Sequence, residues 1–134
     1  MNEKKISSVS LRVASKKKSC GEISDALGLV ATKSGEKGES MGIRSNPERK
    51  RDESLWLYDL DLDERRPLEE HLDNIAKMLE QKINGIQAIK DSCDVELFCS
   101  YATENGQGGF IINQQLLSRL NALGIDVVFD LYMQ

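Results

Sequence analysis

The 134-residue sequence predicts an α+β domain: a four-stranded sheet built from two β-α-β halves, with three to four helices packed mainly on one face. Three observations point there. The stretch Asn113-Gln-Gln-Leu-Leu-Ser-Arg-Leu-Asn-Ala-Leu-Gly-Ile125 reads as a capped helix between two alternating segments. A shorter echo lies near the N-terminus, where Asp25-Ala-Leu-Gly-Leu29 answers Asn121-Ala-Leu-Gly-Ile125. Between the two runs a long amphipathic stripe. A chain of this length folds as one domain, here 1–134, and buries roughly 65–70% of its unfolded surface. At 40% hydrophobic and 30% charged residues, it is not a wholly disordered chain.

The first strand is read from Ile6 to Val13, where Val9, Leu11 and Val13 share one face and Ser8, Ser10 and Arg12 the other. Ser19-Cys-Gly-Glu22 has capping-box spacing, so a helix should start there, bury Ile23 and Leu27, and stop at Gly28. Periodicity then dissolves from Leu29 to Glu53. Such a stretch inside a compact domain is a functional loop, a lid or disorder, and residues 40–52 are expected to be mobile.

Ser54-Leu-Trp-Leu-Tyr-Asp-Leu60 is the second predicted strand. Two registers compete, and the larger burial of an aromatic favours Trp56 and Tyr58 facing the core. Pro67 suits a first helical position, and Leu68, Leu72, Ile75, Leu79, Ile83 and Ile86 repeat at three and four. One rod over 67–92 would span about 39 Å, nearly the diameter of a domain with a radius of gyration of about 14 Å. Two helices with a break near Asn84 are therefore expected, the second from Ile86 to Ser92. Val95–Tyr101 is the third strand. Asn113 caps the last helix, with Leu116, Leu117, Leu120 and Leu123 buried and Gly124 as its stop. The fourth strand sets Val127, Phe129, Leu131 and Met133 against Asp126, Val128, Asp130 and Tyr132. Two β-α-β halves joined in this way would make a relative of the ferredoxin-like fold.

Composition narrows the chemistry. The net charge of −4 conceals an asymmetry: residues 1–51 hold twelve Lys/Arg against six Asp/Glu, and residues 52–134 hold six against sixteen. A bipolar surface of this kind steers an oppositely patterned protein partner. The acidic total and the lack of aromatics among the basic residues argue against nucleic acid. No apolar run reaches the roughly 18 residues of a membrane span, and Met1–Ile6 does not lead into a signal-type apolar block, so a cytoplasmic protein with no membrane partner is expected. Cys20, Cys93 and Cys99 have no metal-ligand spacing, and His71 is the only histidine, so no metal or other cofactor is expected. Asp59, Asp61 and Asp63 open like a calcium loop, but Glu64 stands where the sixth-position glycine is needed. Asn105-Gly-Gln-Gly-Gly109 lacks the lysine and frame of a phosphate loop.

Several of these residues carry a family resemblance. Ser10-Leu-Arg-Val13, Glu22-Ile with Ala26-Leu-Gly-Leu29, Thr32 with Lys37-Gly38, Ser54-Leu-Trp56, Leu68-Glu-Glu-His-Leu72, Gly108-Gly-Phe110 and the Leu-Gly-Ile-Asp-Val127 ending together resemble the bacterial family called domain of unknown function 4279. The likeness covers nearly the whole chain. It implies a small intracellular bacterial α+β domain with no assigned chemistry. The family pattern has a proline before Thr32, where this chain has Ala31.

No catalytic constellation is visible, so the leading expectation is a non-enzymatic protein-binding domain, an immunity or inhibitor protein that binds a toxin or effector. Its surface would be the semi-apolar outer sheet face with Phe98, Val128 and Tyr132. The alternative is a small-molecule or anion-binding domain, with Thr32, Lys33 and Lys37 of the Thr32-Lys37 loop and the Gly106–Gly109 loop, including Gly108 and Gly109, as a polar rim around Trp56. An enzyme would need Lys37 or His71 as general base. A homodimer through an exposed strand edge is a further expectation.

Overall fold

Strand β1 (Lys5–Ser15) is the middle of the molecule, with an antiparallel neighbour on each side. The chain is described by a computed structural model over residues 5–133; Met1–Lys4, Gln134 and the side chain of Met133 lie outside the described residues. After β1 come α1 (Cys20–Leu27), β2 (Lys33–Gly35), β3 (Ser54–Asp59), α2 (Leu68–Glu80), α3 (Ile83–Ile89), β4 (Asp94–Thr103), α4 (Gln114–Leu123) and β5 (Asp126–Met133).

The sheet has five strands in the order β2-β3-β1-β4-β5, and all pairs are antiparallel except β4 with β5. This corrects the expected four strands. The strand missed is β2, three residues reading Lys-Ser-Gly, too short and too polar to show a period. Its presence also changes the first half. β3 is antiparallel to β1 and to β2, so β2 runs parallel to β1 with β3 inserted between them. The first β-α-β unit therefore closes on β2, across β3. The ferredoxin-like comparison holds only roughly: β1 to β4 run β-α-β-β-α-α-β, and α4 with β5 extends the sheet beyond that pattern.

All four helices contribute to one apolar layer on one face of the sheet. Ile23, Leu27, Leu72, Ile75, Leu79, Ile86, Ile89, Leu116 and Leu120 meet Val9, Leu11, Val13, Trp56, Leu97 and Cys99 in a single core. The aromatic register is as expected. Trp56 pairs with Val13 and is fully buried, and Tyr58 pairs with Leu11. Leu55 and Leu57, the losing register, point the other way and are only half-buried.

The capping signals act as their chemistry requires. Ser19 accepts from the Glu22 amide at 3.1 Å while the Glu22 carboxylate accepts from the Ser19 amide at 3.1 Å, a closed capping box. Asn113 Oδ1 accepts from the Leu116 amide at 2.8 Å. Both helices stop on left-handed glycines, Gly28 at φ 63° and Gly124 at φ 67°.

Two helix expectations are corrected. The break after α2 falls at Gln81-Lys82, and Asn84-Gly85 lies inside α3. Gly85 is there for packing: a Cβ on it would stand 2.1 Å from the Ala26 carbonyl oxygen of α1. Leu117, expected in the core, is 54% exposed, because α4 turns only Leu116, Leu120 and Leu123 inward. Residues 36–53 form a long hairpin, laddered by Gly38 N–H to Arg51 O at 2.9 Å, Arg51 N–H to Glu39 O at 2.8 Å and Met41 N–H to Arg49 O at 2.9 Å. No helix among the described residues is long and apolar enough to cross a membrane.

Candidate functional site

With the helices on one side, every second residue of the strands projects from the other, uncovered face. Registers align these residues in rows. One row runs Leu57, Arg12, Glu96, Asp126 and the next Asp59, Ser10, Phe98, Val128. A further row places Ile6, Ala102 and Tyr132 side by side. Phe98, Val128 and Tyr132, chosen from alternation alone, are thus brought together on one surface.

The centre of this face is a residue that sequence reasoning left out. The Arg12 guanidinium carbon lies 4.2 Å from the centroid of the Phe98 ring, within cation–π range. Its Nη1 is 3.5 Å from Glu96 Oε1, a long ion pair with about a third of each side chain exposed. Its Nε is shut off from solvent with no protein partner among the described residues. Ser10 donates to Asp59 at 2.6 Å, and the Tyr132 hydroxyl donates to Asp130. That acceptor holds the Tyr132 hydroxyl above its ordinary pKa. The paired strand residues put Arg12 and Lys33 as cations and Asp59, Asp94, Glu96, Asp126 and Asp130 as carboxylates on this face, and Arg51 over Gly35 with Lys90 and Glu53 at its end add two cations and one carboxylate. At one end a concavity of about 710 Å³ opens between Arg12, Leu55, Lys90, Asp94, Glu96 and Asp126.

The residues of the alternative site do not converge. Trp56 is sealed in the core under α1, its indole N–H donating to Ser24 Oγ at 2.9 Å, so it offers no floor to a surface ligand. Thr32 continues the β2–β3 ladder, its amide donating to Leu57 O at 2.7 Å and its hydroxyl accepting from the Asp59 amide at 2.9 Å. Lys33 is exposed on the open face opposite Leu57, and Lys37 Nζ donates to Lys16 O at 3.2 Å. Gly109 sits at the far side of the sheet, where its carbonyl accepts from the Tyr101 hydroxyl at 3.2 Å. A Cβ on Gly108 would be 2.5 Å from the same hydroxyl, so that loop is glycine because it lies against β4. From β2 to β4 is three strand spacings, about 14 Å.

Other reactive groups are withdrawn. Burial pushes the Cys99 thiol up to about 12, and burial with the nearby Glu36 carboxylate pushes Cys20 up to about 11, so neither is a thiolate at neutral pH. His71 is fully buried, with Nε2 3.1 Å from Asp63 O and Nδ1 without a hydrogen-bond partner among the described residues; burial holds its pKa below the usual value and keeps it neutral. No group of three His, Cys, Asp or Glu among the described residues is placed to hold a metal ion.

The family described as domain of unknown function (DUF4279) matches residues 4–134. The chain belongs to that family. No curated protein and no solved structure matches it. Arg12, Glu96, Leu55 and Leu57 are what sequence reasoning missed. The signal for Arg12 was present, since alternation already put it on the outer side of a strand. That β1 is the central strand, and that Phe98 stacks beneath Arg12, needed the register.

Proposed function

We propose that this DUF4279 domain is a non-enzymatic protein-binding module that docks a cationic protein surface on its open sheet face. The observation that carries this is the Arg12–Phe98 stack, flanked by half-buried Leu57 and Val128 and rimmed by carboxylates. An apolar centre with a polar rim is the anatomy of a recognition surface. Six carboxylates against four cations leave the face acidic, which favours a basic partner and speeds its approach at low salt. The concavity beside Glu96 and Asp126 is wide enough for an inserted lysine or arginine. An inhibitor or immunity protein that occludes the basic surface of a toxin or effector is the form of such a module that needs no chemistry of its own.

The test is capture with the wild-type chain as bait, followed by calorimetric titration of whatever is recovered. Phe98→Ala should weaken binding about 30-fold, the size of a hot-spot truncation, and Asp126→Lys should lower the association rate and its salt dependence. Lys37→Ala, away from the open face, should leave binding unchanged. A partner that binds the folded Phe98→Ala and Asp126→Lys variants as it binds wild type would refute the assignment.

A further inference from the structure

The two edges of the sheet are finished differently. At one edge β2 is only three residues long and continues into the laddered hairpin. At the other, β5 runs for eight residues and, among the described residues, is paired on one side alone, with β4. Natural sheets blunt such an edge by shortening it, charging it or covering it. β5 carries charge only on the open face, at Asp126 and Asp130. Its helix-side row is apolar and incompletely covered: Phe129 is 37% exposed and Leu131 63%. Leu117 of α4, 54% exposed, faces Phe129 across an apolar groove of about 200 Å³.

We propose that β5 is the interface of a two-fold homodimer, pairing antiparallel with β5 of a second copy so that Phe129 lies opposite its mate. The register follows from geometry and charge. Residues directly opposite in an antiparallel pair share a face, so a two-fold axis through the sheet must pass through a residue and its own copy. Centring on Val128 sets Asp126 against Asp130, and centring on Asp130 sets that carboxylate against itself. Like charges directly opposite are destabilising. Centring on Phe129 pairs all of residues 126–132 and opposes no two carboxylates. On the helix side it sets Val127 against Leu131, and on the open face Asp126 against the neutral Tyr132 and Asp130 against Val128. Seven paired residues fall short of the roughly 800 Å² that a stable interface takes from each partner. The adjoining grooves, which meet across the same axis, supply further apolar area. The outcome is a continuous ten-stranded sheet with both open faces on one side.

Light scattering or sedimentation equilibrium of the full chain should give twice the 15.0 kDa of one copy. Leu131→Lys, at an exposed position where folding is not at stake, should weaken dimerisation at least about tenfold and leave the melting temperature of the monomer unchanged. Val127→Cys/Leu131→Cys should form a covalent dimer on mild oxidation, since these residues are too far apart within one strand to join. A species of 15.0 kDa at about 100 µM, or a dimer that survives Leu131→Lys, overturns the proposal. A dimer that resists cross-linking through the double cysteine variant overturns the register.

Discussion

Helix α1 starts on Ser19 and stops on Gly28 at φ 63°, and α4 starts on Asn113 and stops on Gly124 at φ 67°; each follows one strand and leads to another running parallel to it. Local grammar is shared, yet the two units end in opposite situations. In β4-α4-β5 the returning strand is long enough to pair along β4 from Asp126 to Met133, so it lies directly beside the strand it left. In β1-α1-β2 the returning strand has three residues, one of them glycine, too little side chain to hold a place beside β1. β3, which brings Trp56 and Tyr58, takes the place beside β1 and displaces β2 outward. The comparison teaches that capping sequences decide where a helix begins and ends, while competition for buried area decides which strand the helix returns beside.

The largest break in this comparison comes from removing the side chain that holds β3 in place. Trp56→Ala should cost about 3–5 kcal/mol, since it empties a fully buried site and strands Ser24 Oγ. Phe129→Ala, its counterpart in the edge unit, already partly exposed, should cost about half of that or less. Equilibrium denaturation of both variants measures the difference, and equal losses would mean that the edge unit is as sealed as the centre. Next is Gly85→Ala. Alanine is the better helix former by about 1 kcal/mol, yet here its Cβ meets the Ala26 carbonyl, so a net loss of about 1–3 kcal/mol is expected. A stabilised variant would show that α1 and α3 separate freely. The smallest effect separates the two caps. Asn113→Ala should lose about 1 kcal/mol, and Ser19→Ala somewhat more, because the closed box loses its reciprocal bond as well. Melting temperatures of the two variants, compared side by side, settle the order.

Much of this was legible beforehand because it rests on short-range physics. The period of two in β1, β4 and β5 gave the faces, so Phe98, Val128 and Tyr132 could be placed together without coordinates. Leu117 was misread because the leucines of α4 fit a stripe wider than the core beneath it. The break was expected near Asn84 on the length of the rod, and length says that a helix must stop without saying where; it stops at Gln81-Lys82, and Gly85 is a packing glycine inside α3. The Thr32 and Gly108 loops looked like one rim because sequence gives no lateral order of strands.

By itself the sequence determined the α+β class, three to four helices with two of their caps, the inward aromatic register of β3 and the family, since each depends on residues close together in the chain or on the pattern as a whole. Tertiary structure alone decided that β2 exists, that β3 stands between β2 and β1, that Arg12 lies over Phe98 and that β5 is an unshared edge. Those are outcomes of strand order. Strand order is set by which distant segments bury the most apolar area together, a comparison that no local window of residues contains.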